Sequence, residues 1–333
     1  MTFTNPNSQF EQVSKNGVKK EIEVVPYNPK WPEMFAEEAE RIQHALGDNC
    51  IAIHHIGSTS IPGLSAKPII DILPVVRDIL AVDQAIKTME ALGYEAKGEY
   101  GIAFRRYFQK GREERTHNVH VYEEGDPEAS RYIKFRDWMR SHEEDAKSYA
   151  ILKLELAAKF PRDILQYCSG KDAFVASIDA KDGFDGWRMV QALTDREWTA
   201  VQTLRKTCFG SSDLDPFTWT FKHKEHVHFI FYKNAEIIGY AHLQLCPENM
   251  AVLRMIVIDE RYRNLGFGSR FLQLCERWLC HQGYNKIVVK SSQTIYKFYQ
   301  HCGYTDMSWN DPDAHKVGSQ EIEMGKTLTV RRT

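Results

Sequence analysis

The sequence has no apolar run long enough to span a bilayer. It also has little that would suit an oxidising compartment. Its seven cysteines are an odd number with no Cys-x-x-Cys, which argues against a disulfide framework and predicts reduced thiols in the cytoplasm. Net charge is almost absent. The 43 Lys and Arg against 45 Asp and Glu leave a formal charge of -2, so bulk electrostatics predicts neither a nucleic-acid nor a membrane partner. There is no internal repeat and no low-complexity segment. The opening MTFTNPNSQFEQ lacks the apolar region of a signal peptide, and residues 1–20 are expected to be a flexible tail. What remains is an ordinary composition, 43% hydrophobic and 26% charged, over a 333-residue length that suits two domains.

The most informative stretch is Leu253 to Gly268, LRMIVIDERYRNLGFG. Met255 to Ile258 has the length and β-branched character of a strand, and Asp259 and Glu260 end it. Arg263, Gly266 and Gly268 follow, and then a helical pattern carried by Phe271, Leu272, Cys275, Trp278 and Leu279. Glycines allow close backbone approach, and a helix N-terminus offers N–H groups and partial positive charge. The expected ligand is a pyrophosphate. Asn285 to Lys290 reads as a second strand and Ser291 to Cys302 as a second helix.

Arg263, Gly266 and Gly268, followed by Phe298-Tyr299 and Gly303-Tyr304, resemble the phosphate turn and the later aromatic motif of the GNAT N-acetyltransferase family. The resemblance covers residues 253–304. It implies acetyl-CoA as cofactor, bound by Ile256, Val257, Ile258, Arg263, Asn264, Leu265, Gly266, Phe267, Gly268 and Ser269. It also implies Tyr299 as the acid that protonates the leaving thiolate. An amine acceptor must lose a proton before it attacks the thioester. The strand carries no glutamate, and the nearest candidate bases are Glu248, just before it, and His242, on the preceding strand.

The first half carries a second stretch with chemistry, GSTSIPGLSAKPIIDILPVV from Gly57 to Val76. A turn rich in hydroxyls leads through Lys67-Pro68 into an apolar strand broken only by Asp71. A carboxylate there needs a partner, a hydrogen bond or a cation. Glu21 to Tyr27 is expected as a first strand and Glu33 to Leu46 as an amphipathic helix. Strands are expected at Tyr107 to Gln109 and Val119 to Tyr122, and helix over most of Ala129 to Lys159. Arg105, Arg106 and Arg115 could line a positive wall for phosphates.

VVPYNPKWPEMF, HIGSTSIPGLSAKPIIDI, RTHNVHVY and KFRDWMR resemble the GrpB family, a branch of the nucleotidyltransferase superfamily, over residues 23–178. That resemblance implies a nucleotide or phosphate ligand held by Gly57, Ser58, Thr59, Ser60, Lys67 and Asp71. Lys153 matches a family lysine and is a candidate anion contact. Active superfamily members hold metal with two carboxylates two residues apart on this strand and a third on a later one. Here Asp71 matches the first, Leu73 stands at the second, and the third falls near His120. Asp71 and His120 are therefore the candidate ligands for Mg²⁺, which prefers oxygen donors.

IDAKDGFDGW, dense in Asp and Gly, reads as the linker. Arg196 to Thr207 is expected as helix, and Val227 to Tyr232 and Glu236 to Cys246 as strands. His223, His226 and His228 alternate so that only the last two share a face, which suits packed strand residues more than a metal set. The fold class expected is α/β (α+β). A nucleotidyltransferase-like mixed sheet with helices spans 21–178, a linker 179–187, and an acetyltransferase fold with a central mixed sheet 188–330. The expected function is acetyl-CoA-dependent acetylation of a small amine in the cytoplasm, fused to a nucleotide- or phosphate-binding domain. The alternatives are a bifunctional acetyl- and nucleotidyltransferase, or a ligand-sensing module that controls the acetyltransferase.

Overall fold

The computed structural model describes residues 21–112, 114–209, 218–312 and 321–329, and the expected tail 1–20 lies outside them. The described residues fall into two compact units, one of residues 21–188 with 233–236 and one of residues 189–232 with 237–329. None of their helices is long and apolar enough to cross a membrane.

In the first unit, helix α1 (Trp31–Leu46) starts with Pro32 in its first turn and buries Trp31, Ile42 and Leu46 on one stripe. Strands β1 (Cys50–Ile56), β2 (Ile70–Val76), β3 (Tyr94–Ala96), β4 (Arg106–Lys110) and β5 (His117–Glu123) form one mixed sheet in the order β1-β2-β5-β4-β3. The pair β2/β5 is parallel, while β1/β2, β4/β5 and β3/β4 are antiparallel. Alternation sorts the side chains into two faces. Ile70, Ile72, Val119 and Val121 pack with α1 and with Met89 of α2 (Ile86–Ala91). Asp71, Leu73, Asn118 and His120 occupy the opposite face, where Leu73 joins Ile56, Tyr122 and Ala129 in an apolar cluster. Helices α3 (Pro127–Ser141), α4 (Glu143–Lys159), α5 (Ile164–Ser169) and α6 (Asp172–Lys181) complete the unit. Asp126 caps α3 by accepting from the Glu128 N–H at 2.9 Å, with Pro127 following it.

Two expectations fail here. Glu21 to Tyr27 makes no strand and contributes only a single bridge, Val25 to Ala66, because Pro26 and Pro29 interrupt the row of donors a ladder needs. The stretch expected as linker is also shorter, since α6 runs to Lys181 and a strand, β6 (Trp187–Gln191), opens at Trp187.

His55 on β1 is a buried histidine with a structural explanation. Its ring stacks on Phe35 at 4.7 Å and its Nε2 meets Thr59 Oγ1 at 3.0 Å. Burial, against the pull of Asp71 and helped by Arg140 and Arg136, brings its pKa down to about 4. The folded value lies below the unfolded one, so the fold favours the neutral ring. The resulting stabilisation is complete above roughly pH 6.5 and is lost as pH falls towards 4. About 3 kcal/mol is at stake. Urea titrations at neutral and at acid pH should therefore show a smaller acid loss for His55→Gln than for the parent chain. Equal losses would assign the acid sensitivity to other groups.

The second sheet runs β11-β12-β10-β9-β8-β7-β6. Its further strands are β7 (His226–Lys233), β8 (Glu236–Cys246), β9 (Met250–Ile258), β10 (Lys286–Ser291), β11 (Thr305–Asp306) and β12 (Ile322–Thr327). Helix α7 (Asp195–Phe209) opens with a capping box: Glu197 accepts from the Leu193 and Thr194 N–H groups, both at 2.9 Å, and Thr194 Oγ1 accepts from the Glu197 N–H. Helix α8 (Phe267–His281) buries the expected stripe, with Phe271 stacked on Phe231 and Trp278 edge-on to Phe229. Helix α9 (Tyr296–His301) is only six residues long. The expected start at Ser291 fails because Ser292 and Thr294 bond to each other through their hydroxyls, a local alternative to helix.

Candidate functional site

Strand β9 leads into the glycine turn and α8. It pairs in parallel with β10 over only three steps, Met250 to Lys286, Ala251 to Ile287 and Val252 to Val288. Beyond Val252 the two strands part, leaving Leu253 to Ile258 paired on the β8 side alone. The result is a wedge whose wide end opens at the turn. Gly266 sits at the mouth with φ +83 and caps α8 without any side-chain bond to the helix. That left-handed conformation suits glycine. The first backbone bond of the helix is Arg270 N–H to Gly266 C=O at 3.1 Å, so the preceding N–H groups point outward. Arg263 Nε donates to the Ile258 carbonyl at 3.0 Å and fixes the turn against the strand end.

The expected cofactor residues fall along this path. Ile256, Val257 and Ile258 form the last steps of β9, opposite Ala241, Tyr240 and Gly239. Asn264 has φ +60, and Leu265 is exposed at the turn. Phe267, Gly268 and Ser269 form the first turn of α8. A Cβ at Gly268 would lie 3.4 Å from the Phe298 ring, so the helix start and α9 approach closely there. These features fit a pyrophosphate at the turn and an extended chain in the wedge.

Tyr299 lies on α9, packed against Phe298 and Tyr304, with 3% of its surface exposed. Its hydroxyl makes no hydrogen bond among the described residues. Burial raises its pKa above the usual tyrosine range, so it holds its proton at neutral pH. Tyr296, nearly one turn earlier on a neighbouring face of the helix, donates to Asp306 at 2.8 Å.

The two expected bases fare differently. Glu248 is exposed in the turn between β8 and β9, at the narrow end of the wedge. The length of β9, about 25 Å, separates it from the glycine turn. It precedes the paired stretch Met250 to Val252, and the wedge opens beyond that stretch. His242 lies opposite Met255 and is buried. Its Nε2 meets His226 Nδ1 at 2.9 Å and its ring stacks on His228 at 4.4 Å. Burial, with His228, Arg205 and His226 near, holds its pKa far below the usual histidine value. His226 and His228 thus act as packed strand residues, and no group of three His, Cys, Asp or Glu side chains of metal-holding geometry occurs among the described residues.

A polar cluster at the parting of the strands was not expected. Arg254 is the extra residue of a bulge in β9. It grips Asp311 bidentately at 2.6 and 2.9 Å and donates to Gln244 Oε1 at 2.7 Å. Lys290 of β10 reaches the same carboxylate at 2.9 Å. A single charge inside AVLRMIVI was its signal in the sequence, parallel to that of Asp71 in the first half.

In the first unit the site centres on Asp71. Gly57 has φ +68, and a side chain there would collide with the Asp71 carboxylate, so the turn closes over Asp71 only with glycine. Residues 58–60 form one 3-10 turn rather than the start of an α-helix. Thr59 and Ser60 face inward: Thr59 bonds His55 and the Ile69 carbonyl, and Ser60 donates to the Gly57 carbonyl at 2.6 Å. Ser58 remains beside the Tyr149 hydroxyl. Asp71 Oδ1 accepts from Asn118 at 2.8 Å and faces His120 Nε2 at 3.7 Å. Burial pushes its pKa up, but His120, Asn118 and Lys67 outweigh that and hold it below the usual carboxylate range. The Mg²⁺ expectation finds a poor fit here. Leu73 is fully buried at the second ligand position, and a lone carboxylate beside an imidazole is a weak set for a hard cation.

Around Asp71 the structure gathers lysines that sequence spacing did not connect. Lys67 lies 5.6 Å and Lys171 4.8 Å from the Tyr167 ring. Lys153 is 2% exposed, lies 4.8 Å from the Tyr149 ring, and donates to the Ser65 carbonyl. Burial, with Lys171 adding to it, brings the Lys153 pKa down to about 7. Arg105 stacks on Tyr107 at 4.6 Å, and Arg115 bonds Gln109 at 2.8 Å, which places both at this rim. Arg106 instead pairs with Asp83 at 2.6 Å.

Residues 21–181 match the GrpB protein family and residues 191–304 the acetyltransferase (GNAT) family. The UPF0157 protein YqkA of Bacillus subtilis is 53% identical over 161 residues, 48% of this chain and 47% of its own length. The chain thus spans about half of that relative. The glutamate-rich protein GrpB of Alkalihalophilus pseudofirmus is 32% identical over 49% of this chain and 97% of its own. A crystal structure of GrpB from Enterococcus faecalis is 42% identical, covers 48% of this chain and 96% of its own, and has a TM-score of 0.47. The chain belongs to the GrpB family through its first half and carries a GNAT acetyltransferase domain in its second.

Proposed function

We propose that the second unit transfers an acetyl group from acetyl-CoA to a small amine, and that the first unit binds a nucleotide or other phosphate ligand without being a full nucleotidyltransferase. The observation that carries the first reading is the wedge between β9 and β10 ending on an uncapped, glycine-lined helix start. When bound, acetyl-CoA supplies an activated thioester. The outward N–H groups at the start of α8 hold the pyrophosphate, and the glycines keep Cβ atoms out of its way. N–H groups of Leu253 to Ile258, unpaired on the wedge side, hold the extended arm and the acetyl oxygen. Tyr299 gives its hydroxyl proton to the leaving sulfur. The neutral His242 is the expected base that remains near the wedge, and placing amine and thioester together supplies much of the rate.

The first unit is proposed to bind rather than transfer because Leu73 sits in an apolar cluster where a second carboxylate would be needed. A measured transfer of a nucleotidyl group would favour the bifunctional alternative. For the acetyltransferase reading, acetyl-CoA at about 100 times its Kd should stabilise the unit by about 2.7 kcal/mol and so raise the Tm by roughly 5–11 °C. A panel of amines scored by thiol release should then identify an acceptor. Absence of both the shift and thiol release with every amine would overturn the proposal.

A further inference from the structure

We infer that the cleft around Asp71 takes a polyphosphate without a divalent metal, its charge met by Lys67, Lys153 and Lys171. This rests on the proposed phosphate-binding role of the first unit. The lysines come from three places: the loop before β2, the middle of α4, and the residue that precedes α6. None has a carboxylate within ion-pair distance among the described residues. The faces of Tyr149 and Tyr167 lie against them, which eases desolvation but supplies no formal negative charge. Asp71 is the one carboxylate whose field is felt at both Lys67 and Lys171. Two ammonium groups, and a third amine that burial leaves only partly protonated at neutral pH, face one carboxylate, an excess that invites an anion with several charges.

The same cleft is poorly made for a metal. Asp71 Oδ1 is already taken by Asn118 and faced by His120, and Leu73 closes the neighbouring ligand position with hydrocarbon. A dication would add two positive charges to an existing excess. Lysine is a strong phosphate partner acting as a point charge, so the three can do for a polyphosphate what a bridging cation does elsewhere.

The test is calorimetric titration of the full chain with inorganic tripolyphosphate, in EDTA and again in excess Mg²⁺. Binding is expected in EDTA, with no gain from Mg²⁺. Lys67→Met together with Lys171→Met should weaken it by about a hundredfold, roughly tenfold for each charged hydrogen bond removed. Lys153→Met replaces a buried cation by an apolar side chain and should weaken binding while keeping the fold, with Tm as the control. Binding that appears only with Mg²⁺ overturns the inference and restores a metal site at Asp71. Absence of binding in both conditions overturns the phosphate reading of the unit itself. Undiminished binding by the double variant places the tripolyphosphate outside the cleft and overturns the inference as well.

Discussion

Tyr299→Phe should lower kcat for acetyl transfer by about 10²–10⁴-fold while leaving acetyl-CoA affinity and Tm close to those of the parent chain. The variant keeps the ring, which packs at 5.2 Å from Phe298 and 5.4 Å from Tyr304, so the core of α9 is preserved. What it loses is a hydroxyl that bonds nothing among the described residues and that burial keeps protonated. A thiolate leaving group needs a proton at the moment the bond breaks, and that need is absent in the ground state. The loss therefore falls on kcat, corresponding to roughly 2.7–5.4 kcal/mol of barrier. The measurement is steady-state kinetics with a burst or isotope control showing that chemistry limits the rate. A drop below about threefold under those conditions would assign the proton to water.

Gly268→Glu should abolish measurable acetyl-CoA binding, and the contrast with Gly268→Ala explains why. A Cβ at this position meets the Phe298 ring at 3.4 Å and the Ile258 side chain at 3.8 Å, contacts that a methyl group tolerates. Gly268→Ala should therefore fold normally and weaken binding only modestly. A glutamate adds a carboxylate where the helix start otherwise favours the pyrophosphate, turning attraction into repulsion in a desolvated place. Equilibrium binding of acetyl-CoA to both variants, with Tm as the folding control, decides the matter. Undiminished affinity in a folded Gly268→Glu variant would move the pyrophosphate away from this turn.

Much of this was legible in the sequence, and the part that was not has a physical reason. The phosphate turn could be read because strand, glycines and helix stripe are contiguous, so local rules suffice. The Gly57 to Asp71 stretch was legible for the same reason. Asp71 and Leu73 share a face by simple alternation, and the resemblance to the nucleotidyltransferase superfamily, which has a carboxylate at each position, marked the one missing at Leu73. Tyr149 and Lys153 lie on α4, Tyr167 on α5 and Lys171 just before α6, and no local pattern marks their nearness to one another. Asp311 joins Arg254 and Lys290 only through tertiary structure. His242 could be named as a candidate base from the sequence, but its imidazole neighbours on β7 could not be seen without the register.

The parting of β9 and β10 gives the second sheet two inner borders. Most proteins guard an unpaired border at the outside of a sheet, where it could recruit a foreign strand. Here the exposed row of donors lies inside, and the usual guards stand beside it: a bulge at Arg254, two cations, and a carboxylate that ties them together. The carboxylate bridges the two cations across the gap in place of a backbone ladder, and the extra residue in β9 throws the two ladders out of step. The sheet is thereby kept from healing into an uninterrupted whole. It stays a pair of half-sheets joined through Met250 to Val252, one of which carries the glycine turn.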